Sequence, residues 1–271
     1  MDLPLRNSRI QLPSGQIFWR EVGQGPILVF LHGSWSDSSQ WLPVIEYLHH
    51  NYHCFALDLL GFGESEQPKL HYSIQLEVEC LLKYLEALRL EPVYLIGHSL
   101  GGWIAASSVL QSSEQVHGLV LIAPEGVLLK GQQSSWRRAQ WLVGPPQIAY
   151  SILRSLLPIA KFLGRNKPIE KILQQRQLLL SSPTACKLLF QRRWSEIRAE
   201  LLQDNLEFMK VPTLIIQGRK DGIDAIDRSQ IYADNSPQAQ LRMINHGGND
   251  LPESLPALVA RYINEFVNTC Q

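Results

Sequence analysis

The chain has 271 residues, of which 45% are hydrophobic, and its 25 basic and 25 acidic side chains cancel to a formal net charge of zero. That is enough apolar material for one sizeable core, so one large α/β domain, alone or carrying an insertion, is the natural expectation. A zero balance supplies no global field for a polyanion, and no nucleic-acid partner is expected.

The N-terminal stretch MDLPLRNSRIQLPSG lacks a basic segment followed by an apolar one, so no secretory signal is expected. Residues 8–12 and 16–21 flank a Pro-Ser-Gly turn and alternate apolar with polar, which predicts an opening hairpin. Short, nearly continuous apolar runs follow at Ile27–Leu31, Cys54–Leu57, Val93–Ile96, Leu119–Ile122, Thr213–Ile216 and Leu241–Ile244. Such runs suit parallel strands covered on both faces. Segments with helical spacing lie between them, most clearly Ile74–Leu88, Leu100–Leu110 and the closing Leu255–Val267. Strand alternating with helix implies right-handed crossovers and a doubly wound, mostly parallel sheet. The alternation fails between Glu125 and Lys210, a stretch rich in Leu, Gln, Arg and Trp with no convincing strand. It reads as a helical insertion, residues 125–210, dividing a core made of residues 1–124 and 211–271. Its longest apolar stretch, near 141–164, is broken by Pro145, Pro146, Arg154, Pro158 and Lys161 and makes a poor transmembrane span.

Charge is unevenly spread. The insertion holds 14 Lys and Arg against 6 Asp and Glu. Within 147–165, helical spacing sets Arg154, Lys161 and Arg165 opposite Ile148, Ile152, Leu156, Ile159 and Leu163. A basic amphipathic segment of this kind suits peripheral contact with an anionic lipid surface, although Pro158 interrupts it. The cysteines, Cys54, Cys80, Cys186 and Cys270, are widely spaced with no CxxC pair. They read as reduced thiols of a cytoplasmic protein rather than a zinc site or disulfide framework.

The chemistry concentrates at strand ends. Ile27–Leu31 runs into His32-Gly33-Ser34-Trp35, a turn able to present a backbone N–H; His32 is expected to brace it. Asp58-Leu59-Leu60-Gly61-Phe62-Gly63-Glu64-Ser65 is a second strand-end turn, and without a following GKS/T it does not read as a phosphate cradle. Gly97-His98-Ser99-Leu100-Gly101 is a G-x-S-x-G element between an apolar run and a helical segment. A serine on so sharp a strand–turn–helix projects its hydroxyl above the sheet, with glycines two residues to either side to avoid clashes. The N–H of Leu100 and the turn after Leu31 would form an oxyanion hole. A serine hydroxyl needs a base to take its proton, and His246, just past the last apolar run and ahead of the closing helix, is the expected base. The base needs an acid to hold its tautomer; Asp221, after the strand ending in Gln217-Gly218, is the expected one, with Asp224 and Asp227 as rivals.

Together these residues resemble the α/β-hydrolase superfamily, in the branch of small esterases, epoxide hydrolases, haloalkane dehalogenases and meta-cleavage-product hydrolases. The likeness rests on His32-Gly33, Asp58-x-x-Gly61-x-Gly63-x-Ser65, Gly97-x-Ser99-x-Gly101-Gly102, Gly218-x-x-Asp221, and His246 ahead of Glu253 and Pro256. The resemblance implies triad roles for Ser99, Asp221 and His246, oxyanion-hole roles for the backbone N–H groups of Ser34 and Leu100, and a lid role for the insertion. Serine at the elbow, where epoxide hydrolases and dehalogenases carry aspartate, argues against both of those chemistries. The proline that often follows the family's acid is absent after Asp221. The function expected is hydrolysis of a carboxylic ester of an apolar, lipid-like small molecule, with no metal or organic cofactor. Thioester or C–C hydrolysis, or ligand binding without turnover, are the alternatives.

Overall fold

The computed structural model describes residues 5–129, 131–144, 148–162 and 167–270. The chain divides into two compact units, Met1–Leu129 with Glu200–Gln271, and Lys130–Ala199.

The first unit opens with the expected hairpin, β1 (Arg6–Leu12) against β2 (Gly15–Val22), in antiparallel register with Leu12 opposite Gly15. Next come β3 (Ile27–Leu31), α1 (Leu42–Leu48), β4 (His53–Leu57), α2 (Ile74–Leu88), β5 (Val93–His98), α3 (Leu100–Gln111) and β6 (Val116–Ile122). Among the described residues these strands, with β7 (Thr213–Gly218) and β8 (Ala239–Ile244), form an eight-stranded sheet in the order β1-β2-β4-β3-β5-β6-β7-β8. From β4 to β8 every pairing is parallel, so the fold is the mostly parallel, doubly wound sheet that the apolar runs imply. β3, β5, β6 and β7 are buried almost throughout, as strands covered on both faces must be. β8 departs from that expectation: as the edge strand it alternates, with Gln240 and Arg242 exposed.

One face of the sheet carries α1 packed on the closing helix α11 (Pro256–Cys270), which follows the short α10 (Leu251–Ser254); there Trp41, Ile45, Val259 and Ile263 meet strand residues such as Phe30 and Ile96. The other carries α2 and α3, with α9 (Ile223–Asn235) over β7 and β8. α2 starts where Ser73 accepts the Leu76 N–H, 3.0 Å, and stops at Arg89 in the left-handed conformation. α3 is apolar almost all round, and nine of its twelve residues are buried.

The second unit is helical: α4 (Gln132–Val143), α5 (Ile148–Phe162), α6 (Lys167–Leu180), α7 (Pro183–Leu189) and α8 (Trp194–Ala199). Its small core gathers Leu142, Val143, Leu179 and Cys186. The Trp136 indole donates to the Leu189 carbonyl, 2.6 Å, and packs 5.1 Å from the Trp194 ring. This unit is narrower than the expected 125–210, because its flanks are sewn into the sheet unit. Leu202 N–H donates to the Gly126 carbonyl, and Leu128 N–H donates to Gln203. On α5, Ile152, Leu156, Ile159 and Phe162 are exposed, as is Arg154. Leu163 and Arg165 lie outside the described residues, as do the side chains of Ile148 and Lys161. The four cysteines are free, and no helix among the described residues is long and apolar enough to cross a membrane.

Candidate active site

β3 has β4 on one side and β5 on the other, so the strand order reverses there, and open α/β sheets bind ligands beyond the carboxyl ends of strands at such a point. The turns after β3 and β5 carry Ser34 and Ser99. After β7 and β8 come Asp221 and the turn 245–250; among the described turns these four build the candidate site.

Ser99 holds φ at 51°, a left-handed value that a side chain resists. Its surroundings impose it: the Ser99 N–H donates to the Ile122 carbonyl, 2.9 Å, while its own carbonyl accepts from Trp103 at 3.2 Å and Glu125 at 3.1 Å. A Cβ on Gly97 would run into the Gly101 carbonyl, and one on Gly101 into the Leu31 carbonyl, so the turn closes only with glycine at both places. Ser99 is the N-cap of α3 and its side chain makes no capping hydrogen bond, so the hydroxyl is left at the positive dipole end of the helix.

The turn after β3 is braced from below. His32 is fully buried; its Nδ1–H donates to the Gly33 carbonyl, 2.8 Å, and its Nε2 accepts the Leu59 N–H, 3.1 Å. Burial lowers its pKa, which keeps it neutral in this bracing role. Gly33 N–H donates to Gln40 Oε1, 3.0 Å, and Gln40 Nε2 donates to Glu253 Oε1, 2.6 Å. The N–H groups of Ser34 and Leu100 have no hydrogen-bond partner among the described residues. Asp58 is structural: its carboxylate accepts from Ser38 N–H, 2.6 Å, and Glu64 N–H, 2.7 Å, and Ser65 Oγ donates to its carbonyl, 2.6 Å.

Asp221 accepts from Gly222 N–H at 2.7 Å, Gln217 Nε2 at 3.1 Å and Asn249 Nδ2 at 3.3 Å. Ser229 Oγ, donating to Gln217 Oε1 at 2.6 Å, orients that amide. The rivals Asp224 and Asp227 are exposed on α9. The structure therefore brings Ser34, Ser99, Leu100 and Asp221 to the same end of the sheet. It does not join His246 to them: that ring is exposed and, among the described residues, hydrogen-bonded neither to Asp221 nor to Ser99. From the turn after β8, the side chain that reaches Asp221 is that of Asn249. Its carbonyl accepts the Nε2–H of His98, 2.9 Å, while His98 Nδ1 lies 3.3 Å from Gln40 Oε1. Burial pushes His98 down to about 4, so it is neutral at pH 7. Sequence reasoning missed Asn249, Gln40 and the linking role of His98, since an asparagine or a glutamine carries no signal of acid–base work. The one available hint was that Asn249, like His246, adjoins Gly247-Gly248.

A family model described as alpha/beta hydrolase fold matches residues 26–253. An uncharacterized hydrolase, YugF of Bacillus subtilis, is 26% identical over 251 residues, 89% of each chain. The monoacylglycerol lipase ABHD6 of Homo sapiens is 24% identical over 257 residues, covering 90% of this chain and 76% of its own. Among solved structures, an esterase of Thermogutta terrifontis superposes with a TM-score of 0.74 at 23% identity, covering 98% of this chain and 99% of its own.

Proposed function

The chain belongs to the α/β-hydrolase fold family, and on that premise we propose that it is a serine hydrolase that acts on a carboxylic ester of an apolar small molecule, with Ser99 as nucleophile. The observation that carries the reading is the strained, glycine-enclosed Ser99 at the amino end of α3, beside two unpartnered N–H groups. Ser99 Oγ would attack the acyl carbon, and the oxyanion would rest on the N–H groups of Ser34 and Leu100. Expulsion of the alcohol leaves an acyl-enzyme that water hydrolyses. Asp221 is the acid that the arrangement offers. His246, expected as the base, can serve only if the turn after β8 rearranges. That turn is held to the end of β7 by Arg219 N–H on Ile244 O, 2.8 Å, and Lys220 N–H on Gly247 O, 2.9 Å. Thioester or C–C cleavage would use the same nucleophile and the same two N–H groups.

Monoacylglycerols are the first esters to test, since one relative bears the name monoacylglycerol lipase. A fluorophosphonate probe is expected to label Ser99, and labelling at another serine would overturn the assignment. Activity on 4-nitrophenyl esters should rise with acyl length; a sharp preference for acetyl would overturn the apolar substrate. A second reading, binding of such a ligand without turnover, is favoured by the absence of an imidazole on Asp221 among the described residues.

A further inference from the structure

Asn249 is fixed from two directions. Its backbone carbonyl is held by His98, the residue beside Ser99 on the elbow, and its side-chain amide donates to Asp221 Oδ2. Residue 249 thus bridges nucleophile turn and acid, which is where a general base has to stand, while His246 lies three residues back in a turn pinned to β7. Around Asp221 the described donors are all neutral: a backbone N–H and two carboxamides. The Asn249 amide reproduces one half of a base's work, since its Nδ2–H donates to the carboxylate as an imidazole N–H would. It cannot perform the other half, because an amide oxygen is far too weakly basic to take the proton from Ser99 Oγ.

We propose that Asn249, and not His246, occupies the place of the general base, so that the site holds an ester carbonyl at Ser99 and its two N–H groups with the proton-transfer step disabled. The inference rests on Ser99 being the reactive residue of the proposed hydrolase site. It assigns wild type a slow reaction of Ser99, with esters and with fluorophosphonates alike, that Asn249→His accelerates. It also assigns Asn249→His a complete relay: the introduced imidazole would donate one N–H to Asp221, take the Ser99 proton on its other nitrogen as the Oγ–acyl bond forms, and return it to the leaving alcohol oxygen as the ester C–O bond breaks.

The test measures steady-state hydrolysis of a 4-nitrophenyl ester series by wild type, Asn249→His and Asn249→His combined with Ser99→Ala. Thermal unfolding confirms that each variant folds. Asn249→His is expected to raise kcat/KM by about 100-fold or more, with a rate that rises with pH through the imidazole range, and Ser99→Ala is expected to abolish the gain. Adding Asp221→Asn should then remove most of that gain. Should Asn249→His fail to fold, Asn249→Gly leaves a gap beside Asp221, and free imidazole should accelerate hydrolysis by that variant saturably. Absence of both gain and rescue, with Ser99 still labelled by fluorophosphonate, overturns the assignment of Asn249 and leaves the serine site standing. Wild-type turnover that falls about 100-fold in His246→Ala overturns it as well. Failure of Ser99 to label in wild type and in Asn249→His overturns the reading of the site itself.

Discussion

Glu77 shows how far burial alone can move a group outside the active site. Its side chain lies in the interior under α2, with Oε2 accepting the Leu60 N–H at 3.2 Å and Oε1 without a partner among the described residues. Burial raises its pKa to about 8, well above that of a carboxyl in water, so the folded protein keeps a proton that the unfolded chain releases near 4.5. The stabilisation is fully present below the unfolded value and is lost as pH rises through about 8, because only the unfolded chain gains by ionising in that window. The Glu77 contribution should therefore fall between pH 5 and pH 8, against the opposite trend of the buried His32 and His98 below about 6.5, and Glu77→Gln, which keeps an acceptor for Leu60, should remove that fall. A melting-temperature series in both proteins checks it, and parallel slopes would remove Glu77 as the cause. At Ser99 the expectation concerns activity instead. Ser99→Ala relieves no backbone constraint, since alanine meets the same positive φ; in the Asn249→His background it should return hydrolysis to the wild-type level or below at nearly constant melting temperature. A large loss of stability would mean that the hydroxyl is structural.

The elements that sequence alone revealed are those whose cause is local. β5, the elbow and α3 follow from an apolar run, two glycines and an apolar helix, and the structure places them within two residues of expectation. α9 escaped notice because its buried positions are Ala225, Ser229 and Tyr232, small or polar residues that leave no apolar stripe to count. α1 is only seven residues long and follows a 3₁₀ turn, Ser38–Trp41, too short for periodicity to show. Residue 249 escaped for a different reason: a histidine at 246 satisfied the expected chain order, and only the pairing of β7 with β8 reveals which side chain meets Asp221. The close approach of those two strand ends has its own test. Gly218 lies so near the Gly247 and Gly248 carbonyls that a Cβ has no room, and Gly218→Ala must displace the turn carrying Asn249. The expected cost is about 1–3 kcal/mol in urea unfolding with an unchanged m-value. In an Asn249→His background the same change should also reduce the gained activity. An unchanged midpoint would mean that the turn yields freely, and His246 would then regain its claim as base.

At the scale of the whole molecule, the zero net charge conceals an uneven distribution. Lys130–Ala199 holds 13 basic against 2 acidic residues, leaving 12 against 23 in the remainder. A basic helical unit joined to an acidic sheet unit is drawn by one part to an anionic surface from which the other is repelled, and the attraction acts over about one Debye length, roughly 8 Å at physiological salt. Charge alone gives weak adhesion, and apolar side chains must enter the interface for binding to hold. α5 supplies them: Phe162 is 92% exposed, and Ile152, Leu156 and Ile159 are exposed on the same helix, with Arg154 on its other side. Binding to vesicles containing an anionic lipid is therefore expected, with little binding to vesicles of phosphatidylcholine alone. Flotation at low salt measures it. Raising the salt should weaken it, as should Arg154→Glu, whereas Phe162→Ser combined with Ile159→Ser should reduce binding even at low salt, since those changes remove area and leave the charge. If the wild type stays at the bottom of the gradient with anionic vesicles at low salt, the basic charge of the helical unit has another purpose. If it floats but the two serine changes have no effect, adhesion is purely electrostatic and α5 does not enter the lipid.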